Sequence, residues 1–543
     1  MNMLLRNYPN GIRWALIGGA LVLAWFNRFV QDDAFISFRY AQNLAEGHGL
    51  VYNIGERIEG YTNFLWTVCM APAFLLNVDV VTWCYLVSLL AFTVTLLVTA
   101  ELAASWFKSP AASYLAIILL ATNFSFSSYA TGGLETQFGI AWLMLSIWLL
   151  HTNRLVLAAL CSACAILTRM DAVLILFPFW CAAASFGDVL RGSFKRPLRV
   201  ILAASVGAIP VIVWMLCRHS YYGAWLPNTF LIKGAGPTPI RGLYYMGLFY
   251  AVYGFWLLTP LVFKTGLQRL DFTFRFPVFF SILLWHVYLI SVGGDFMEFR
   301  MMMPTLPLVM LLVAGLLAVT STETKTIRQK IGHATVPVLA CISLFLGLMK
   351  FNYPMMDTIP QLKELSTEWG DLGKEMNTLL GEQRKSVTIG ITAAGLVPFY
   401  TQMPTLDLLG LNSREIALTG TRIIHLKYFG NRPGHVRIAT HETVMASGVN
   451  LLINQPWVVE KHSDVLTWDA RDILNGWVMG KESNPETVYA CRVRFPASAP
   501  IPPIIAWPLS DGRYWLTAYL KPHPAVDDAI QRVGAIIISP THE

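Results

Sequence analysis

Trp14 to Val30 is apolar apart from Asn27 and Arg28, and it runs into Asp32-Asp33-Ala34-Phe35-Ile36-Ser37-Phe38-Arg39-Tyr40-Ala41. Ionisable groups at a membrane boundary are costly unless they pair, cap a helix or face water, so the acidic pair marks a candidate site. The chain around it is strongly apolar: 55% of its 543 residues are hydrophobic and 13% are charged. That balance excludes an ordinary soluble enzyme and points to a polytopic α-helical membrane protein. Arg6 and Arg13 precede the first apolar run, which lacks a small-residue cleavage site and reads as a retained anchor.

Runs of about twenty apolar residues read as transmembrane helices. Eleven are expected, at 14–30, 81–103, 111–129, 137–151, 154–168, 172–187, 200–217, 242–263, 276–292, 301–320 and 333–350. The apolar stretch 63–77 is shorter, and whether it crosses decides the side of every later loop. If it does not cross, Arg6/Arg13, Lys108, Arg154, the cluster Arg191/Lys195/Arg196/Arg199, Lys264/Arg269/Arg275 and Lys325/Arg328/Lys330 all lie on the cytoplasmic side. The positive-inside rule selects that solution, with 63–77 as a juxtamembrane element.

The same topology gathers the polar motifs on the external face. Asp32-Asp33, Gly133-Leu134-Glu135-Thr136, Arg169-Met170-Asp171, Pro227 to Lys233, Gly294-Asp295 and Arg300 all fall there. The membrane half is expected to span 1–350, with a catalytic first external loop at 31–80. Residues 351–543 lack a further apolar span and suffice for one soluble domain. β-like runs at 386–391, 487–495, 513–519 and 535–539 predict an α/β or α+β cap over the external face.

Each candidate residue also has a plain structural reading. Asp32-Asp33 can cap the helix that starts there or pair with Arg28, and equally one carboxylate can act as base while the other orients it. Arg39, Arg169, Lys233 and Arg300 are cations suited to a phosphate, or interfacial anchors. Arg39 lies seven residues past Asp32 on a similar helix face, so it can instead orient that carboxylate. Glu135 and Asp295 stand beside glycines in separate loops, where they can bind hydroxyls or complete a metal site. Their alternatives are helix capping for Glu135 and pairing with Arg300 for Asp295; Arg169 and Asp171 read as a structural pair. Seven of the eight cysteines lie in or beside apolar spans, and Cys161-x-x-Cys164 lacks the further ligands of a zinc site. His425, His435, His441 and His462 form no zinc pattern, and nothing suggests nucleic-acid binding.

With Glu46-Gly47-His48-Gly49, Glu59-Gly60-Tyr61-Thr62-Asn63, Gly133-Leu134-Glu135-Thr136, Gly293-Gly294-Asp295 and Leu408-Leu409-Gly410-Leu411, the DDAFI opening resembles the GT-C glycosyltransferases. Within that superfamily the chain is similar to arabinofuranosyltransferases of the mycobacterial cell-wall type and to the type IV pilin arabinosyltransferase of pseudomonads. The resemblance implies transfer of D-arabinofuranose from a polyprenyl-phosphate donor to a pilin hydroxyl or a cell-envelope glycan. It assigns Asp32 and Asp33 to catalysis and to a divalent metal (Ca, Mg or Mn). It assigns Arg39, Glu135, Lys233, Asp295 and Arg300 to the donor phosphate or sugar. The enzyme would sit in the bacterial inner membrane among lipids, with active site and cap facing the periplasm. A flippase or transporter of lipid-linked sugar is the rival class, as is a GT-C enzyme using another polyprenyl-phosphate sugar such as mannose. Against a transporter stand the lack of paired interrupted helices and the large one-sided cap.

Overall fold

A computed structural model describes residues 10–184, 195–233, 238–255, 272–320, 353, 355–423, 433–479, 492–496 and 498–540. The first apolar run forms α1 (Asn10–Phe26), and the chain then turns into α2 (Asp32–Ala45). Both aspartates occupy the first turn of α2, where carboxylates complement the positive end of a helix. The opposite faces of α2 bury Phe35, Phe38 and Ala41 toward the helical core and Ile36 and Tyr40 toward the loop that follows.

Helix α3 (Phe64–Leu75) fills the 63–77 stretch with twelve residues. At 1.5 Å per residue it is about 18 Å long, well short of a bilayer core of about 30 Å. The helical layer continues with α4 (Val80–Phe107), α5 (Pro110–Thr122), α6 (Phe124–Ser128), α7 (Thr136–His151) and α8 (Leu155–Thr168). It is completed by α9 (Val173–Ala183), α10 (Lys195–Tyr222), α11 (Asn228–Lys233), α12 (Pro239–Val252), α13 (Phe272–Val292) and α14 (Leu306–Thr320).

Four stretches among the described residues are long and apolar enough to cross a membrane: 80–107, 195–222, 274–292 and 300–318. Their surroundings differ sharply. The apolar window of α10 is 17% buried and that of 300–318 is 94% buried, so α10 presents its sides outward while α14 is the centre of the bundle.

Several expected boundaries move for identifiable reasons. The run 111–129 breaks at Asn123, whose side chain accepts the Phe126 N–H at 3.0 Å and starts α6 as an N-cap. Lys195, Arg196 and Arg199, read as loop residues, lie within α10 instead. The run 172–187 begins with a 3-10 turn over Met170–Ala172. The expected span 333–350 and the end of 242–263 lie outside the described residues.

The C-terminal part opens on α15 (Ile359–Leu380), fixed at its start by a capping box in which Thr358 and Gln361 exchange hydrogen bonds. It then builds β1 (Ile389–Ile391), α16 (Leu396–Thr401), β2 (Thr405–Asp407), β3 (Thr421–Arg422) and β4 (Arg437–Ile438). Four more strands follow, β5 (Leu451–Val459), β6 (Ile504–Pro508), β7 (Tyr514–Tyr519) and β8 (Ile536–Ile538). Six of these form one sheet in the order β2-β1-β5-β7-β6-β8. β2, β1 and β5 run parallel, whereas β5, β7, β6 and β8 run antiparallel. Helices and apolar clusters cover both faces, which gives the mixed α/β character expected of this region. Strands β2, β5 and β6 of this sheet were not anticipated, and the expected 487–495 run falls largely outside the described residues.

Candidate active site

The acidic pair lies where the C-terminal module meets the helical layer. Asp32 Oδ1 accepts the Leu396 N–H at 2.7 Å and Oδ2 accepts the Gly395 N–H at 3.2 Å. The carboxylate therefore bridges the first turn of α2 to the first turn of α16. Burial pushes its pKa up to about 7; the two backbone donors pull it down, and the neighbouring charge of Asp33 adds to the rise. Gly395 is required by this contact, because a Cβ there would stand 1.9 Å from the Asp32 carbonyl oxygen and 2.8 Å from its Cγ.

Arg39 departs from the role of phosphate ligand. Nε donates to the Tyr52 carbonyl (2.8 Å), Nη1 to the Pro398 carbonyl (2.9 Å) and to Thr405 Oγ1 (3.3 Å), and Nη2 to the Met403 carbonyl (2.8 Å) and to Asn53 Oδ1 (3.2 Å). All five guanidinium N–H groups are thus spent on protein acceptors, and the group also lies 4.4 Å from the centre of the Tyr52 ring. Arg39 fastens the C-terminal module to the first loop. The alternative of orienting Asp32 is likewise not what its bonds do.

A second set of charges gathers at the ends of α7, α8 and the 3-10 turn before α14. Buried Glu135 accepts Arg169 Nη1 at 2.9 Å and Asn63 Nδ2 at 2.9 Å. Arg169 also grips Asp171 with Nε at 3.0 Å and Nη2 at 2.5 Å, the structural pair expected from the sequence. Arg300 Nε meets Asp295 Oδ2 at 2.7 Å, and Asp295 Oδ1 accepts the Phe296 N–H at 2.8 Å. Asp295 is therefore a partner that holds Arg300. Arg300 feels the charges of Glu135 and Arg169 as well, so the two arginines and their carboxylates act as one network.

Asn63 ties this network to the acidic pair, since its Oδ1 accepts Ser37 Oγ of α2 at 3.2 Å while its amide reaches Glu135. Arg169, Asp171 and Arg300 line a small cleft whose other walls include Ile140, Leu143, Ile175 and Trp285. The two arginines and Asp171 thus share one cleft with apolar side chains.

Lys233 is the last residue of α11, and its side chain lies outside the described residues. What holds α11 is visible. Asn228 Nδ2 donates to the carbonyls of Gly410 (2.7 Å), Leu411 (3.0 Å) and Ser413 (3.3 Å). Asp407 shapes that receiving loop by accepting the Leu409 and Asn412 N–H groups. Asn228→Ala is expected to lower stability by about 1–3 kcal/mol, read as a fall in the unfolding midpoint in detergent.

Both Asp32 oxygens accept backbone N–H groups, and among the described residues no group of three or more His, Cys, Asp or Glu could hold a metal ion.

Sequence reasoning passed over Asn63, Asn228, Glu59 and Arg218 as individual residues. Glu59 and Arg218 form a buried ion pair at 2.9 Å between the first loop and the end of α10. The signal was present, because Glu59 and Asn63 bracket the EGYTN segment and Asn228 precedes Lys233, but only packing reveals their partners.

In architecture the chain is similar to ArnT of Cupriavidus metallidurans. It aligns with the form bound to undecaprenyl phosphate at a TM-score of 0.54 and 13% identity, over 74% of this chain and 86% of that one. The apo form gives 0.53 and 12% identity. The fold is thus that of an ArnT-like helical membrane protein, as the resemblance implied.

By sequence the chain is similar to the terminal β-(1→2)-arabinofuranosyltransferase of Mycobacterium tuberculosis, 27% identical over 62% of this chain and 60% of the relative. The protein of the same name from Corynebacterium glutamicum is 26% identical over 53% of this chain and 48% of its own length. The chain thus spans less than two thirds of the length of these relatives. Residues 361–490 match a domain of unknown function, DUF8728.

Proposed function

We propose that this protein transfers D-arabinofuranose from a polyprenyl-phosphate donor, of decaprenyl or undecaprenyl type, to an acceptor hydroxyl outside the cytoplasm. The carrying observation is the largely apolar cleft lined by Arg169, Asp171 and Arg300, whose Arg169 connects through Glu135 and Asn63 to the start of α2. Such a groove suits a lipid phosphate, with the tail along Ile140, Leu143 and Trp285 and the phosphate at the guanidinium groups. Similarity to arabinofuranosyltransferases supports the sugar, and the ArnT fold supports the lipid carrier.

In this reading Asp33 takes the proton of the acceptor hydroxyl as its oxygen bonds to the anomeric carbon. The bond from that carbon to the phosphate oxygen breaks, and Arg300 and Arg169, with Lys233, stabilise the departing phosphate. Asp32 holds the first turn of α2 against α16 and so fixes where Asp33 stands. The C-terminal module presents the acceptor, either a type IV pilin hydroxyl or a cell-envelope glycan. The protein sits in the bacterial inner membrane with this face toward the periplasm, a placement supported by the basic residues of the opposite loops.

Incubating purified protein with polyprenyl-phosphoarabinose and candidate acceptors tests the proposal. A mass gain of one pentose on the acceptor supports it and identifies the acceptor. Movement of the donor between leaflets without transfer would replace it with the transporter reading. Chelation followed by dialysis tests for a divalent metal: an unchanged rate counts against one, and a loss restored by added Ca, Mg or Mn assigns it.

The pH dependence follows from Asp32. Below about pH 7 its carboxylate gains a proton and loses the charge that holds the Gly395 and Leu396 N–H groups. The rate at saturating donor is expected to fall as pH drops through about 7, with the apparent value belonging to the Asp32–Asp33 pair. For stability the sign is opposite. The folded state takes up a proton between about pH 4 and 7 that the unfolded chain has released, so this group favours folding most at low pH. A flat rate from pH 5 to 8 would remove Asp32 from the rate-limiting step.

A further inference from the structure

Gln31 stands immediately before the acidic pair, at the N-cap of α2, yet its side chain makes no cap bond. The residue is 1% exposed, and neither its carboxamide oxygen nor its nitrogen has a hydrogen-bond partner among the described residues. Buried polar groups are almost always paired, so a primary amide left open at both atoms calls for a ligand that can donate and accept. Its backbone is tied down by a 3.4 Å bond from the Gln31 N–H to the Gly132 carbonyl and by its own carbonyl, which accepts the Ala34 N–H at 3.1 Å.

The segment that receives this bond carries more open polar atoms. Ser128 Oγ and Gln137 Oε1 are buried without partners among the described residues, while Gln137 Nε2 is committed to the Phe126 carbonyl. Backbone in this segment is tightly fitted against Val30 and the first turn of α2. At Gly133, φ is +84°, and a Cβ would stand 2.6 Å from Val30 and 2.7 Å from Ala34. An open carboxamide immediately before two carboxylates, held against a segment that carries further open polar atoms, is suited to hydroxyls on a small ring.

We infer that Gln31 is a sugar-binding residue of the proposed transfer site, hydrogen-bonding a hydroxyl of the donor furanose. The inference rests on the proposed function. Gln31 then discriminates among donors by hydroxyl pattern, because a donor lacking the matching hydroxyl leaves the amide open.

The test pairs protein variants with altered donors. Gln31→Met keeps length and removes both polar atoms, and Gln31→Glu keeps the shape and one acceptor. With polyprenyl-phosphoarabinose, Gln31→Met is expected to raise KM or lower kcat/KM by about 10–100-fold, with an unfolding midpoint equal to or above that of the unaltered protein. Gln31→Glu is expected to recover part of the loss. Donors deoxygenated singly at C2, C3 or C5 then locate the contact. One of them should cost the unaltered protein a similar factor and cost Gln31→Met nothing further.

If the unaltered protein transfers arabinose while folded Gln31→Met matches it on every donor, the inference is wrong and the proposed function stands. If all three deoxy donors cost Gln31→Met and the unaltered protein equally, Gln31 touches no hydroxyl and the inference is again wrong. If the unaltered protein transfers nothing from any arabinose donor, the proposed function fails first.

Discussion

Replacing Asp33 with Asn is expected to reduce sugar transfer by about 10²–10⁴-fold, the usual span for losing a positioned general base. Folding and donor binding should stay near normal. Asp32→Asn should also be inactive, for a different reason. Both Asp32 oxygens accept backbone N–H groups of the C-terminal module. An asparagine there supplies one acceptor and turns an amino group toward the other N–H, leaving it unmatched at a cost of about 1–3 kcal/mol. The two variants therefore separate in stability even where both lose turnover. Gly395→Ala should behave like Asp32→Asn, since its Cβ would collide with the Asp32 backbone while every carboxylate is kept. Turnover from purified donor, donor affinity and the unfolding midpoint measured together distinguish these cases. A fully active Asp33→Asn protein beside a folded, donor-binding but inactive Asp32→Asn would exchange the two roles.

The positions of these groups were legible to different degrees. Hydropathy marked the helical class and the shortness of 63–77, because apolar length is a property of the local sequence. The acidic pair, Glu135, Asp171, Asp295 and Arg300 were each visible as charges that an apolar chain retains at a cost. Their partners were not, since Glu135 meets Arg169 across 34 residues and Asp32 meets Leu396 across 364. Two of the local alternatives hold, Arg169–Asp171 and Arg300–Asp295, whereas Glu135 makes no side-chain cap bond to the helix it precedes. Arg39 misled because spacing from Asp32 suggested a common face, whereas its guanidinium is drawn to acceptors more than 350 residues away. Strand β5 was hidden by Asn454, Gln455 and Pro456, which interrupt its apolar pattern and coincide with an irregular register between Leu452 and Trp457.

Arg39 offers the sharpest separation of architecture from ligand binding. Arg39→Met deletes five hydrogen bonds at a residue 4% exposed, and several of their acceptors belong to α16 and the strand after it. A loss of about 3–4 kcal/mol is expected, near the upper end for single substitutions. Lysine should not rescue it, because three donors on one ammonium cannot span acceptors arranged around a planar fork. The variant should show a lowered unfolding midpoint and faster proteolysis of the C-terminal module. Protein that remains folded should bind polyprenyl phosphate with unchanged affinity, since no guanidinium N–H is left over for a phosphate. If Arg39 instead held the donor, affinity would fall while the midpoint stayed constant, and Arg39→Lys would retain much of the binding. Measuring midpoint and affinity on the same purified variants decides between a fastener of the module and a ligand of the phosphate.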